Sequence, residues 1–258
     1  MGSFGSAYNS LEALGIVAVV MLGWIASVCL HEFGHAIVAY RCGDYSVKQK
    51  GYLTLNPLRY THPVVSIVFP LMFLAMGGIP LPGGAVYIDR SALRYRWQSS
   101  FVSAAGPMAT AAFTIVIASP FWLGLVPPAS NLFGESPHWF WAALSLLILL
   151  QMAAIVLNLL PIPALDGFGI LRPWLPPDIQ AQAAPIERYG LFILLGLFWF
   201  YPPFSSAFWQ LAAYMSIFIG ASPAMALDIY PTFHGAVRGV AVLAIIIGII
   251  VAQIHKNR

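Results

Sequence analysis

Charge is the scarcest property of this chain of 258 residues: Lys, Arg, Asp and Glu together make up 8% of it, while 60% is hydrophobic. Soluble domains carry roughly 25% charged residues, so a water-soluble globular fold is excluded and an integral, multi-pass membrane protein is expected. Cysteine is nearly absent. Cys29 and Cys42 are the two in the chain. On one continuous helix they would lie roughly 20 Å apart at ~1.5 Å per residue, too far to bridge. The net charge of +3 is small. The basic residues form no groove-like run with interleaved aromatics, so no nucleic-acid partner is expected. Lys and Arg are also missing from the stretch ahead of the first apolar segment. A secretory signal needs a positive n-region, so the first segment is read as a retained span.

Long apolar runs are what the chain has instead. A span needs ~20 mostly apolar residues. Candidates run from about Leu11 to Tyr40, Phe101 to Val126 and Trp139 to Leu160. Shorter ones follow at Tyr189 to Tyr201, Phe204 to Gly220 and Gly235 to Ile254. A further run, Pro63 to Pro82, is broken by Pro70, Gly77, Gly78 and Pro80. Basic residues mark the cytoplasmic side. Arg41, Lys48, Lys50 and Arg59 precede that broken run, and Arg90, Arg94 and Arg96 follow it. A crossing would put one cluster outside. A re-entrant segment keeps both inside and suits broken backbone covered by protein or water. No internal repeat is visible. The expected fold class is an all-α polytopic membrane protein with five or six transmembrane helices, a re-entrant segment and a small membrane-associated β element.

Three ionisable side chains interrupt the first apolar run, in "CLHEFGHAIVAY" (residues 29–40). Burying such groups in hydrocarbon costs several kcal/mol, so they need a partner. His31 and His35 are spaced i, i+4 and share one helix face, a turn apart. That spacing suits two imidazoles on one zinc ion, and the adjacent Glu32 is placed to act as general base on a water: the HExxH pattern. Cys29, two residues before His31, points about 200° round the helix, away from this face.

A catalytic zinc needs a third protein ligand and an open position. His62, His138, His234 and His255 lie near predicted segment ends. Asp44, Asp89 and Asp178 lie in loops. Asp166 differs, because it directly follows an apolar helix in "LNLLPIPALDGFGILRP". Pro161 and Pro163 stop that helix and hold the chain extended. Gly167 is read as a tight turn just past the carboxylate. Asn158, a turn before the first proline, is a buried amide that needs partners.

HEFGH on a first core helix, paired with "NLLPIPALDG" after a later one, resembles the site-2 protease family of intramembrane zinc metalloproteases. "SAAGPMATA" (103–111) is similar to the Ala-Gly-Pro stretch of that family's intervening core helix. "GYLTLNPLRYTHP" followed by an apolar hairpin resembles a subgroup without large soluble domains, and no PDZ or CBS insert is seen. The likeness covers roughly residues 11–172, and is weaker through "ERYGLFILLGL". It implies one Zn²⁺ per chain held by His31, His35 and Asp166, with Glu32 as the base. Asn158 would help to hold the substrate peptide or its oxyanion. The re-entrant segment and "GGAVYID" (83–89) would form a β region that pairs with an unwound substrate, with Ala85–Ile88 as its edge strand. Two departures stand out: Thr110 where the family usually has Asn, and Tyr60-Thr61-His62-Pro63 where the subgroup commonly has His-x-Asp-Pro.

The expected domains are a metalloprotease core, 1–172, and C-terminal transmembrane helices, 173–258. The expected function is hydrolysis of peptide bonds within or near transmembrane segments, with single-span membrane proteins in the lipid bilayer as substrates and the active site toward the cytoplasm. A metal or proton transporter using the same His/Glu/Asp cluster is the alternative. It would be expected to space its ligands along a path, often in repeated halves. A non-catalytic binding protein of the same fold would have no need of Glu32.

Overall fold

The computed structural model describes residues 8–56, 59, 86–126, 138–187 and 189–256. The expected re-entrant run Pro63–Pro82 and the Tyr60–Pro63 stretch lie outside them.

The first helix, α1, runs Ser10–Arg41. Its start is set locally. Asn9 Oδ1 accepts from the N–H groups of Leu11 and Glu12 at 3.0 Å, and Glu12 Oε2 accepts from Asn9 N at 2.8 Å. This reciprocal capping box satisfies donors that a helix end leaves unpaired. The helix stops at Arg41, two residues before Gly43, whose φ of +115° ends the helical path. A single turn, α2 (Ser46–Gln49), follows. Past the undescribed stretch, a 3₁₀ turn at Arg90–Ala92 leads into α3, Arg96–Trp122.

Helix α4, Trp139–Leu159, is apolar on every face, and a helix of that kind belongs in an interior. The structure puts it there: every residue from Ala142 to Ala153 is buried, and α1 and α3 pack against it. The short α5 (Asp166–Leu171) closes against α3, then a 3₁₀ turn at Arg172–Trp174 leads to α6, Pro177–Glu187. Three more helices complete the chain: α7 (Gly190–Phe200), α8 (Pro202–Phe218) and α9 (Pro223–Lys256). Helices α8 and α9 cover the remaining sides of α4, with Ile229, Phe233 and Val237 of α9 in the same core as Ile16, Val20 and Leu146.

Among the described residues there is no strand. Among the described residues three helices, α1, α3 and α4, are long and apolar enough to cross a membrane, or up to four if the bent pair Pro177–Glu187 and Phe192–Phe200 counts as one span. The segment Val86–Ile88 nonetheless has the side-chain alternation of extended chain. Val86 and Ile88 pack with Ala39, Val47 and Val102, while Tyr87 faces out.

Candidate metal centre

His31 and His35 leave one face of α1 about 9–15 Å from its C-terminal end, at ~1.5 Å per residue. Their rings meet edge to face, with the Nε2 atoms 3.1 Å apart. Asp166 arrives from the other side of the bundle. Its Oδ2 lies 3.1 Å from Nε2 of His31 and its Oδ1 lies 3.3 Å from Nε2 of His35. Metal–ligand bonds of ~2.0–2.2 Å in a tetrahedral site put neighbouring donors roughly 3.3 Å apart. The two imidazole nitrogens stand about one such edge apart, and each has an oxygen of the Asp166 carboxylate at about the same distance, so the donor set fits zinc in kind and in size. Among the described residues these three form the one group of His, Cys, Asp or Glu so gathered. Cys29 and Cys42 are free thiols outside it.

The far nitrogen of each imidazole is also engaged. His35 Nδ1 donates to the Val102 carbonyl at 2.7 Å. A carbonyl only accepts, so the proton of a neutral His35 sits on Nδ1 and its Nε2 lone pair faces Asp166. His31 Nδ1 lies 3.0 Å from Thr110 Oγ1, which can hold that ring in the same tautomer. Metal-binding histidines are commonly oriented this way through their second nitrogen. Thr110 thus meets a need that the sequence shows only as a departure from a pattern.

Asp166 owes its place to the break after α4. The chain leaves that helix through Pro161 and Pro163, and the sharp change of direction falls at Ala164, a non-glycine residue with φ +85°. Asp166 then opens α5. Gly167 is not the turn its sequence context predicts. It sits inside the first turn of α5, pressed on the end of α4: a Cβ there would meet the carbonyl of Leu160 at 2.5 Å and collide with that of Leu159. Burial alone would raise the Asp166 carboxyl, but the two imidazoles, when protonated, outweigh it and hold the group well below the usual carboxylate range.

Glu32 is buried beside this centre without joining it. Its Oε2 accepts from Val86 N at 3.0 Å, which ties the extended segment to the centre. Asn158, near the end of α4, donates from its amide to the Ala154 carbonyl at 3.0 Å. An open pocket of about 250 Å³ exposes the centre, with His31, Glu32, His35, Asn158 and Asp166 all in its wall. Arg90 stands at its side, donating to Ser99 Oγ at 2.6 Å and Ser103 Oγ at 3.1 Å. All five residues singled out in the sequence therefore line one cavity. Val102, Gly106, Thr110 and Val86 carry no site role in the sequence reading, where Thr110 stands only as a departure, Gly106 within the Ala-Gly-Pro stretch and Val86 within the expected edge strand. Three of them act through a backbone atom or a missing Cβ, which carries no signature in residue type.

Two histidines and a carboxylate gathered at metal-binding distance, a second carboxylate alongside and a bundle of apolar helices around them define a membrane-embedded metallohydrolase. A family model described as Peptidase family M50 matches residues 18–133. The chain is 43% identical over 213 residues to a Mycolicibacterium smegmatis protein named "Putative zinc metalloprotease Rip2", covering 82% of this chain and 78% of that one. The protein of that name from Mycobacterium tuberculosis H37Rv is 42% identical over 194 residues, 75% of this chain and 71% of its own. YwhC of Bacillus subtilis, which bears the same description, is 29% identical over 191 residues, 72% of this chain and 82% of its own. No solved structure matches. The chain belongs to peptidase family M50, the site-2 protease family, and is a zinc metalloprotease of the membrane.

Proposed function

We propose that the protein is an intramembrane endopeptidase that hydrolyses peptide bonds within or near the transmembrane segments of single-span substrates. His31, His35 and Asp166 hold one zinc ion, and Glu32 is the general base. The observation that carries this reading is the gathering of two imidazole nitrogens 3.1 Å apart with the two oxygens of one carboxylate, each 3.1–3.3 Å from one of them, and a second carboxylate adjacent and left out.

Zinc bound there would supply a Lewis acid that polarises the scissile carbonyl and acidifies the attacking water. The rest of the work belongs to the chain. Glu32 takes a proton from the water as its oxygen bonds to the carbonyl carbon, then delivers that proton to the amine as the C–N bond breaks. General acid–base catalysis of this kind contributes ~10²–10⁴-fold. Asn158 has two N–H donors on its amide; one is used on Ala154 and the other is available to a substrate carbonyl. A substrate helix hides its carbonyls in its own hydrogen bonds and must unwind before attack. The extended segment ending at Ile88, fixed at Val86 by Glu32, is suited to take up the freed backbone by strand addition.

The finer architecture belongs to the same proposal. Helices α7, α8 and α9 raise the span count to five or six. The metalloprotease core is 1–172 and the C-terminal helices 173–258. The segment Pro63–Pro82 is re-entrant and the centre faces the cytoplasm. The charge distribution supports this. So do the ties between the two ends of the undescribed stretch: Lys50 Nζ donates to the Tyr87 carbonyl at 2.9 Å, and Asp44 Oδ2 accepts from Asp89 N at 2.8 Å. A chain that leaves and returns to one place need not cross.

The test is cleavage of a single-span substrate by purified protein, with zinc measured on the same samples. Wild type should cleave within the apolar segment and hold about one zinc. His31→Ala and Asp166→Ala should lose both. Full zinc retention in both variants would overturn the ligand assignment.

A further inference from the structure

Beside the metal centre lies a second, smaller chamber of about 30 Å³, half open to its surroundings. His31, Glu32 and Asn158 line it as well as the open pocket, so the three form a partition between the two. Its far end is built by Ser27 and Gln151. Ser27 is one turn before His31 on α1, about 6 Å, and Gln151 is two turns before Asn158 on α4, about 10 Å. Gln151 is fully buried. Its Oε1 accepts from Ser27 Oγ at 2.7 Å, and its Nε2 has no partner among the described residues. Turning the amide round does not help, because Ser27 can satisfy only one of its two ends. Leaving a buried donor unpaired costs about 1–3 kcal/mol, and this one borders a chamber.

The size of the chamber limits what can fill it. A water occupies ~30 Å³ of liquid and needs at least ~10–15 Å³ of such space, with two to four polar partners. The space is the size of one or two waters. We infer that this chamber is a water site, held by Gln151 and Ser27, that supplies the hydrolytic water from behind while substrate fills the open pocket. Each peptide bond broken consumes one water, and an unwound peptide lying across the open pocket blocks the approach from that side. A water on Gln151 reaches Glu32 without passing the substrate. The inference rests on the role proposed for Glu32, but the occupancy of the chamber is measurable without any turnover.

Radiolytic hydroxyl-radical labelling read by mass spectrometry reports bound water beside a side chain. Trp24 lines the chamber and is otherwise buried, whereas Trp97 is exposed and serves as the control. Trp24 should be oxidised in the wild-type protein. Gln151→Leu, close in volume but with no amide, should lose that labelling while Trp97 and the zinc content hold. Gln151→Asn should keep it. In steady-state cleavage, Gln151→Leu should lower kcat and leave KM unchanged. Ala154→Val fills the same chamber without altering the amide, and should reproduce both effects if Gln151→Leu does not fold. An unlabelled Trp24 in wild type means a dry chamber and overturns the inference. So does undiminished labelling in Gln151→Leu. A raised KM with kcat intact would make Gln151 a substrate contact and overturn it equally. Because labelling needs no catalysis, its result stands whether or not Glu32 proves to be the base.

Discussion

A Cβ placed on Gly106 of α3 would stand 2.6 Å from Nε2 of His31 and would collide with Nε2 of His35. The space in front of the two imidazoles therefore exists because residue 106 has no side chain. Gly106→Ala sets two effects against each other. In a helix interior the change is worth about 0.5–1 kcal/mol in favour of Ala. Overpacking a filled site costs about 1–3 kcal/mol, and here the atoms in the way are the proposed ligands. The clash wins: purified Gly106→Ala should hold little zinc. Gly196 of α7 has open space at its Cβ position, and Gly196→Ala should bind zinc as wild type does. Metal analysis of the pair separates the close approach from a general intolerance of Ala.

Thr110 carries the second prediction. Its hydroxyl lies 3.0 Å from Nδ1 of His31, and among the described residues no other side chain is seen on that nitrogen. Thr110→Val keeps the shape and removes the partner. Losing a hydrogen bond behind a metal-binding histidine typically weakens metal affinity by ~10–100-fold. Competition with a chelator of known affinity should show a shift in that range, and Thr110→Ser should restore most of it. Wild-type affinity in Thr110→Val would mean that packing alone orients His31.

The apolar helices were the most legible part of the sequence, for a physical reason. Their boundaries follow from where hydrocarbon-compatible residues stop: Leu11–Tyr40 was expected against Ser10–Arg41, and Trp139–Leu160 against Trp139–Leu159. Helix α6 was not foreseen, because "PPDIQAQAAP" is polar and holds prolines. The last helix was expected from Gly235 but starts at Pro223, running through Asp228 and Pro231. Packing overrides local preference there, since Ile229 and Phe233 fill the core on both sides of that proline. In the site, residue types that do chemistry were readable at His31, Glu32, His35 and Asp166. Their supports were not. Val102 and Val86 contribute a carbonyl and an N–H, Gly106 an absence, and Gln151 an amide deep in an apolar helix whose Nε2 has no partner among the described residues. None of these shows in composition or spacing, because each depends on which helix faces which.

Topology is the third prediction. Lys48 and Arg94 flank the stretch proposed to be re-entrant, and both are exposed. Single cysteines at these positions, in a chain with Cys29 and Cys42 replaced, should react with an impermeant maleimide only when the cytoplasmic face is open to it. Labelling of the two from opposite sides would show that Pro63–Pro82 crosses the bilayer.

The last prediction concerns Glu32, which shares a cavity wall with the three proposed ligands but stands apart from them. Glu32→Gln keeps the size of the side chain and can still accept from the Val86 N–H now 3.0 Å from Oε2. It cannot take a proton from water at neutral pH. The segment at Val86 should therefore stay docked, and zinc should remain, because the donor set of His31, His35 and Asp166 is untouched. Substrate should bind as before. Turnover should fall by at least ~10²–10⁴-fold, the usual share of general-base catalysis. Removing a buried charge should leave the fold as stable as wild type or slightly more so. Single-turnover cleavage in liposomes, with zinc and substrate binding measured on the same preparation, reads all of these together. A Glu32→Gln protein that holds zinc and cleaves at the wild-type rate would show that the base is elsewhere.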